Sequence, residues 1–159
     1  MNDVFKILEQ DARTPHDKIA TMTGLSTDEV SRIVREAEEN RTIIKYKTMV
    51  NWDKLGQREV WALIEVKIVP ERNVGFDSIA ERIYRFPEAR TVFLVSGLYD
   101  LAVIVTARDI YDVSRFVSDK LSTIEGVTGT VTHFLLKRYK EDGEILAERE
   151  ETDRQPLSP

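Results

Sequence analysis

Residues 14–35, TPHDKIATMTGLSTDEVSRIVR, constrain this chain more than any other stretch, because they hold helix starts and a helix stop in close succession. Thr14 caps a helix whose first residue is Pro15, a position where a missing N–H costs nothing. Ile19 and Ala20 face inward. Gly24 ends that helix, because a left-handed residue is easiest for glycine. Ser26 caps the next helix, and Glu29 three residues on completes a capping box. Val30, Ile33, Val34 and Ala37 then recur at i, i+3, i+4 and i+7, one buried stripe. Thr27, Asp28, Ser31, Arg32 and Arg35 lie off that stripe. This is a helix-turn-helix pattern, in which the second helix lies in a DNA major groove. Any two amphipathic helices around a glycine give a similar pattern. Asp28, Glu36, Glu38 and Glu39 also crowd the outer face, which opposes phosphate contact.

The rest of the chain narrows the choice. A helix over Asp3–Asp11, with Val4, Ile7 and Leu8 inward, makes a three-helix unit too small to bury much surface alone. After Asn40 the pattern turns extended: TIIKYKTMVNW reads as a strand with Lys45 and Lys47 along one edge. Residues 51–57 connect to a second region. There, strands at Val60–Val69, Thr91–Val95, Asp100–Thr106 and Val127–Tyr139 alternate with helices at Phe76–Phe86 and Asp109–Ile124. Ile79, Ile83 and Phe86 form the inner side of the first helix. Ile110, Val113, Phe116, Val117 and Leu121 form that of the second. The order is βαββαβ, the split ferredoxin-like arrangement, with helices on one sheet face only. Trp61 and Leu63 make the first strand apolar on both sides, so the second face calls for a cover, and dimerisation through the sheet supplies one.

Charge is uneven. Residues 1–56 carry nine Lys/Arg and ten Asp/Glu, residues 57–140 twelve and eleven, and residues 141–159 two and seven. The excess therefore sits in an end that reads as a solvated acidic tail. The chain has no cysteine, which excludes disulfides and thiolate metal sites. No apolar run is long enough for a membrane span, and MNDVFKILEQDAR lacks the make-up of a secretory signal. His16 reads as solvated at a helix start, and His133 as a satisfied core or interface residue. With two histidines far apart, no metal site and no cofactor are expected.

In order, GLSTDEVSRIVREAEENRTIIKYKTMVN, VSGLYDLAVIV and IEGVTGTVTHFLLKRYK resemble the recognition helix with linker strand, the Gly-x-Tyr-Asp loop and the closing strand of the Lrp/AsnC (leucine-responsive, feast/famine) family. The resemblance covers nearly the whole chain. It implies an α+β fold: a helix-turn-helix (winged-helix-like) DNA-binding domain with linker strand at 1–50, a connection at 51–57, a βαββαβ effector-binding and oligomerisation domain at 58–140, and an acidic tail at 141–159. It further implies a cytoplasmic, non-enzymatic transcriptional regulator acting on double-stranded DNA as a homodimer or larger homo-oligomer. Its effector would be an amino acid or related metabolite. Thr27, Ser31, Arg32, Arg35, Lys45 and Lys47 are the DNA-binding candidates. The acidic recognition helix and the length after Lys140 depart from the family pattern.

Gly97, Leu98, Tyr99 and Asp100 are the effector candidates, and the resemblance puts this loop at the effector pocket. An amino acid needs N–H donors for its carboxylate and an acidic acceptor for its ammonium. Gly97–Tyr99 backbone and Asp100 offer both. The alternative is that Gly97 and Asp100 only make the turn, with Tyr99 at an interface. Two other functions stay open. One is an enzyme resembling haem-precursor decarboxylases, with His133, Arg138 and Tyr139 on one strand, although no paired carboxylate or nucleophile–base pattern is visible. The other is a metabolite-sensing dimer without DNA.

Overall fold

Two compact units, Met1–Val50 and Asn51–Pro159, divide the chain in the computed structural model, which describes residues 2–56, 59–69 and 75–146. The first unit holds α1 (Asn2–Gln10), α2 (His16–Thr23) and α3 (Thr27–Glu39). Val4, Leu8, Ile19, Ala20, Val30 and Val34 form its core, with Ile7, Leu25, Ile33 and Ile43 packed against it. Each fully buried aliphatic side chain contributes about 1.5–3 kcal/mol. Gly24 ends α2 at φ +73°, and its N–H donates to the Ala20 carbonyl at 2.9 Å.

The start of α2 differs from expectation by one residue. Pro15 itself is the extended N-cap residue, and no side chain caps the helix. The Thr14 hydroxyl donates to the Asp11 carbonyl at 2.9 Å, so it is engaged with the turn before the helix. The expected linker strand is also not formed: residues 44–50 run as irregular chain. β-branched and aromatic residues favour an extended backbone, but a strand needs a neighbouring edge to bond.

In the second unit, Trp52–Leu55 makes one 3₁₀ turn, followed by β1 (Val60–Ile68), α4 (Gly75–Tyr84), β2 (Ala89–Leu94), β3 (Leu101–Ala107), α5 (Ile110–Arg115) and β4 (Val127–Leu135). The sheet order is β2-β3-β1-β4, antiparallel throughout. This is the ferredoxin-like arrangement that the alternation of elements predicts. Ala62, Ile64, Val66 and Ile68 of β1 point at the helices, with Ile79, Ile83, Val103, Val105, Val113 and Phe116. Gly126, at φ +89°, leads into β4 where an added Cβ would stand 2.6 Å from Ile79 Cδ1.

Helix α5 departs from the expected regular helix over 109–124. After Arg115 it widens into π-helical turns across Phe116–Leu121, and the Ser122 N–H reaches back five residues to the Val117 carbonyl at 2.8 Å. Ile110, expected inward, is half exposed in the first turn, after the Asp109 cap. The segment read as an acidic tail begins with structure too. β5 (Lys140–Glu141) and β6 (Glu144–Ile145) form a hairpin across Asp142 and Gly143, at φ +46° and +88°. Two consecutive left-handed residues, Asp-Gly, are what a two-residue hairpin turn demands. Residues 147–159 of the expected tail lie outside the described residues.

Candidate nucleic-acid interface and ligand loop

The capping box fixes where α3 starts. Ser26 Oγ accepts the Glu29 N–H at 3.2 Å, and Glu29 Oε2 accepts the Ser26 N–H at 2.9 Å. The Ser26 backbone bond, then the Ser26 hydroxyl, holds the Glu29 carboxyl below its ordinary range. The free face of α3 carries Thr27 in the first turn, then Arg32 and Arg35, all exposed. Arg32 is engaged along the helix with Glu36, Nη1 to Oε1 at 3.4 Å.

Ser31, expected on the free face, is half-buried, and its Oγ lies 2.9 Å from His16 Nδ1. His16, expected to be solvated, is half-buried as well. The first turn of α2 meets the first half of α3 here because Gly24 brings the helices back on each other. Nothing in the spacing of two polar residues fifteen apart announces such a bond.

Lys45 and Lys47 are exposed on the irregular segment after α3. Between them, the Tyr46 hydroxyl donates to Glu38 Oε1 at 2.8 Å. Burial, then the Glu38 carboxylate, pushes the Tyr46 hydroxyl pKa up. Thus Glu36 and Glu38, read from sequence as opposing charge, each hold a neighbour on this surface.

The β2–β3 hairpin presents the loop of Gly97, Leu98, Tyr99 and Asp100. The Val95 N–H donates to the Asp100 carbonyl at 2.9 Å, closing it. Gly97 sits at φ +151°, a conformation side chains resist. Leu98 is almost fully exposed. Among the described residues, the N–H groups of Gly97, Leu98 and Tyr99 make no internal hydrogen bond. Asp100 is more occupied than its sequence position suggests. Its Oδ2 accepts the Ile68 N–H at 2.8 Å and lies 3.5 Å from Lys67 Nζ, while Lys67 also donates to the Leu98 carbonyl at 3.0 Å. Sequence reasoning passed over Lys67, whose only signal is its place at the polar end of an alternating strand. A cavity of about 460 Å³ lies at the other end of β3, among Glu88, Thr106, Arg115 and Lys120, and the loop has no part in it.

The sheet face opposite the helices bears Trp61, Leu63, Glu65, Ile104, Phe93, Val131, His133 and Leu135 by register. Phe93, Val131 and Leu135 are 55%, 52% and 40% exposed, too apolar a set for a surface meant only for water. At its centre His133 Nε2 lies 3.2 Å from Glu65 Oε1, so His133 is a partnered surface-strand residue. Arg138 stacks over the Trp61 ring at 4.5 Å and bonds Glu141 at 2.8 Å, tying the C-terminal hairpin to this face. Among the described residues, Trp61 Nε1 is buried there without a hydrogen-bond partner.

Among the described residues, no helix is long and apolar enough to cross a membrane, and no cluster of three metal-ligating side chains occurs.

Comparison with known proteins agrees with this fold. Residues 61–145 match the family model described as the Lrp/AsnC ligand binding domain. That match includes the C-terminal hairpin, so the residues just past Lys140 are not an addition to the pattern. The chain is 44% identical over 158 residues to the HTH-type transcriptional regulator YugG of Bacillus subtilis, covering 99% of this chain and 95% of the relative. It is 31% identical to the HTH-type transcriptional regulator LrpA of Pyrococcus horikoshii, covering 86% and 94%. Two solved structures share the fold. A transcriptional regulator of Neisseria meningitidis in complex with L-methionine aligns with a TM-score of 0.70 at 21% identity, covering 87% of this chain and 89% of that one. The feast or famine regulatory protein of M. tuberculosis, complexed with L-methionine, aligns with a TM-score of 0.71 at 19% identity, covering 92% and 96%.

Proposed function

Because this chain belongs to the Lrp/AsnC family of HTH-type transcriptional regulators, we propose that it reads double-stranded DNA with α3 and answers an amino acid through the 97–100 loop. The observation that carries the reading is the capped α3, whose exposed Thr27, Arg32 and Arg35 stand beside the stripe that packs it into its own unit. The exposure of Lys45 and Lys47 supports contacts to the phosphate backbone, which supplies most of the affinity.

The working unit is a homodimer or a larger homo-oligomer. The apolar sheet face supports this, because a second copy removes Phe93, Val131 and Leu135 from water at about 25 cal/mol per Å² buried. The loop's three unengaged N–H groups suit a carboxylate, and the second oxygen of Asp100 suits an ammonium. Two similar folds are complexes with L-methionine, which makes methionine the first effector to try. A ligand that binds one assembly state more tightly than another must shift their populations.

The test is a gel shift on the DNA upstream of the protein's own gene, with and without each of the twenty amino acids. A shift that survives competitor DNA and changes with one amino acid supports the reading. A shift no stronger than on random DNA overturns the DNA assignment. A specific shift indifferent to all twenty overturns the amino-acid assignment.

A further inference from the structure

Resting on the reading that α3 faces DNA, we propose that His16 sets which base edge Ser31 recognises. It does so by fixing the direction of one hydrogen bond. His16 opens α2, and Ser31 is the fifth residue of α3. Their Nδ1 and Oγ atoms stand 2.9 Å apart, with both residues half-buried. Exposed Thr27, Arg32 and Arg35 flank Ser31 on its helix. The bond therefore joins the helix that crosses the backbone to the helix that enters the groove.

A serine hydroxyl has one hydrogen and two lone pairs. When the His16 ring carries its hydrogen on Nδ1, it donates to Oγ, and the Ser31 hydrogen is left to point outward. Ser31 can then donate, to guanine N7 or O6, adenine N7 or thymine O4 in the major groove, and keeps one lone pair. When Nδ1 is bare, the Ser31 hydrogen is taken by the ring. Ser31 then offers lone pairs alone, matched to the amino groups of adenine or cytosine. Without His16 the hydroxyl rotates and serves either polarity. His16 is thus a positioning residue: it need not touch a base to narrow what Ser31 accepts.

The experiment is selection of binding sites from a pool of random duplexes by full-length wild type, Ser31→Ala, His16→Ala and His16→Asp, with melting of each protein measured alongside. Wild type and Ser31→Ala together identify the base position that Ser31 reads. At that position His16→Ala should lower the base preference roughly two- to tenfold, the worth of one hydrogen bond, with the rest of the motif unchanged. His16→Asp can only accept from Ser31. It should leave adenine or cytosine preferred, a change of base where the wild-type ring carries its hydrogen on Nδ1, and an acid in the first turn keeps α2 stable.

A merely structural role for His16 would weaken all positions together and leave the identity of the preferred base alone. The proposal is overturned if Ser31→Ala selects the wild-type motif, or if both His16 variants keep the wild-type preference at the Ser31 position. In those cases wild type still selects a motif and DNA reading stands. If wild type selects no motif at all, the DNA reading fails and this inference falls with it.

Discussion

Asp100 holds the end of β1 in place through Ile68: its Oδ2 accepts the Ile68 N–H at 2.8 Å, while its own N–H donates to the Val66 carbonyl at 3.0 Å. One residue thus serves the turn and stands at the mouth of the loop proposed to take the effector. The two roles separate by substitution. Asp100→Asn keeps an acceptor for Ile68 and loses the charge. It should melt close to wild type yet bind amino acids at least tenfold more weakly by calorimetry. Asp100→Ala leaves the Ile68 N–H without its partner and should cost about 1–3 kcal/mol in denaturant unfolding. Undiminished binding by Asp100→Asn would take the ammonium contact away from Asp100.

Arg32 is paired with Glu36 along α3, and the proposed function asks it to contact DNA as well. Glu36→Gln releases the guanidinium from an exposed pair worth about 0.3–0.5 kcal/mol and removes a charge that repels DNA. Affinity should rise about two- to fivefold at low salt, and the gain should shrink as salt screens exposed charge. Fluorescence anisotropy across a salt series measures both. Equal affinity at every salt concentration would mean that Arg32 does not approach DNA.

The start of α3 should be sensitive to acid. Glu29 is held below its ordinary range by Ser26, so its contribution is fully present above the ordinary glutamate range. It is lost as pH falls through the depressed folded value. An NMR titration of the Glu29 side chain should show the depressed midpoint, and Ser26→Ala should return it to the ordinary range. The same variant should lose about 1 kcal/mol of stability.

Two glycines predict opposite phenotypes. Gly126→Ala places a methyl group against Ile79 at an unfavourable φ, and should cost about 2–4 kcal/mol in thermal or denaturant unfolding. Gly97→Val meets open space, so the core is spared and the strain falls on the loop. It should leave the fold intact and alter assembly in sedimentation.

The open sheet face gives the last prediction. Val131 lies opposite Glu65 in register. Val131→Lys places a cation beside that carboxylate, so one chain tolerates it while a second apolar sheet does not. Wild type should sediment at micromolar concentration as a dimer or larger, and the variant as a folded monomer. A wild-type monomer would contradict association through this face.

Much of the fold was legible because its signals are local and periodic. The stripe of Val30, Val34 and Ala37, the Ser26–Glu29 box and the alternation of β1 each repeat within a few residues. The errors came where a second partner decides. Thr14 had two plausible partners, an N–H of the helix it precedes and a carbonyl of the preceding turn, and the carbonyl won. Residues 44–50 have strand composition, but one chain offers them no edge. The Asp142-Gly143 turn was a readable signal hidden by the charge around it. At the candidate sites, the exposed arginines and the Gly97 conformation could be read from residue type. The hold of Lys67 and Ile68 on Asp100, and of His16 on Ser31, could not, because each joins elements far apart in sequence.

The widened turns of Phe116–Leu121 change how this helix keeps time. In a regular α-helix two residues five apart diverge by about 140°, yet Phe116 and Leu121 are both buried. The helix carries one residue more than its phase requires. Removing one residue, Ser118 for instance, would bring Phe116 and Leu121 to a four-residue spacing and restore an ordinary helix with the same inward side. A frame deletion that breaks most helices is, at this one place, a correction of register.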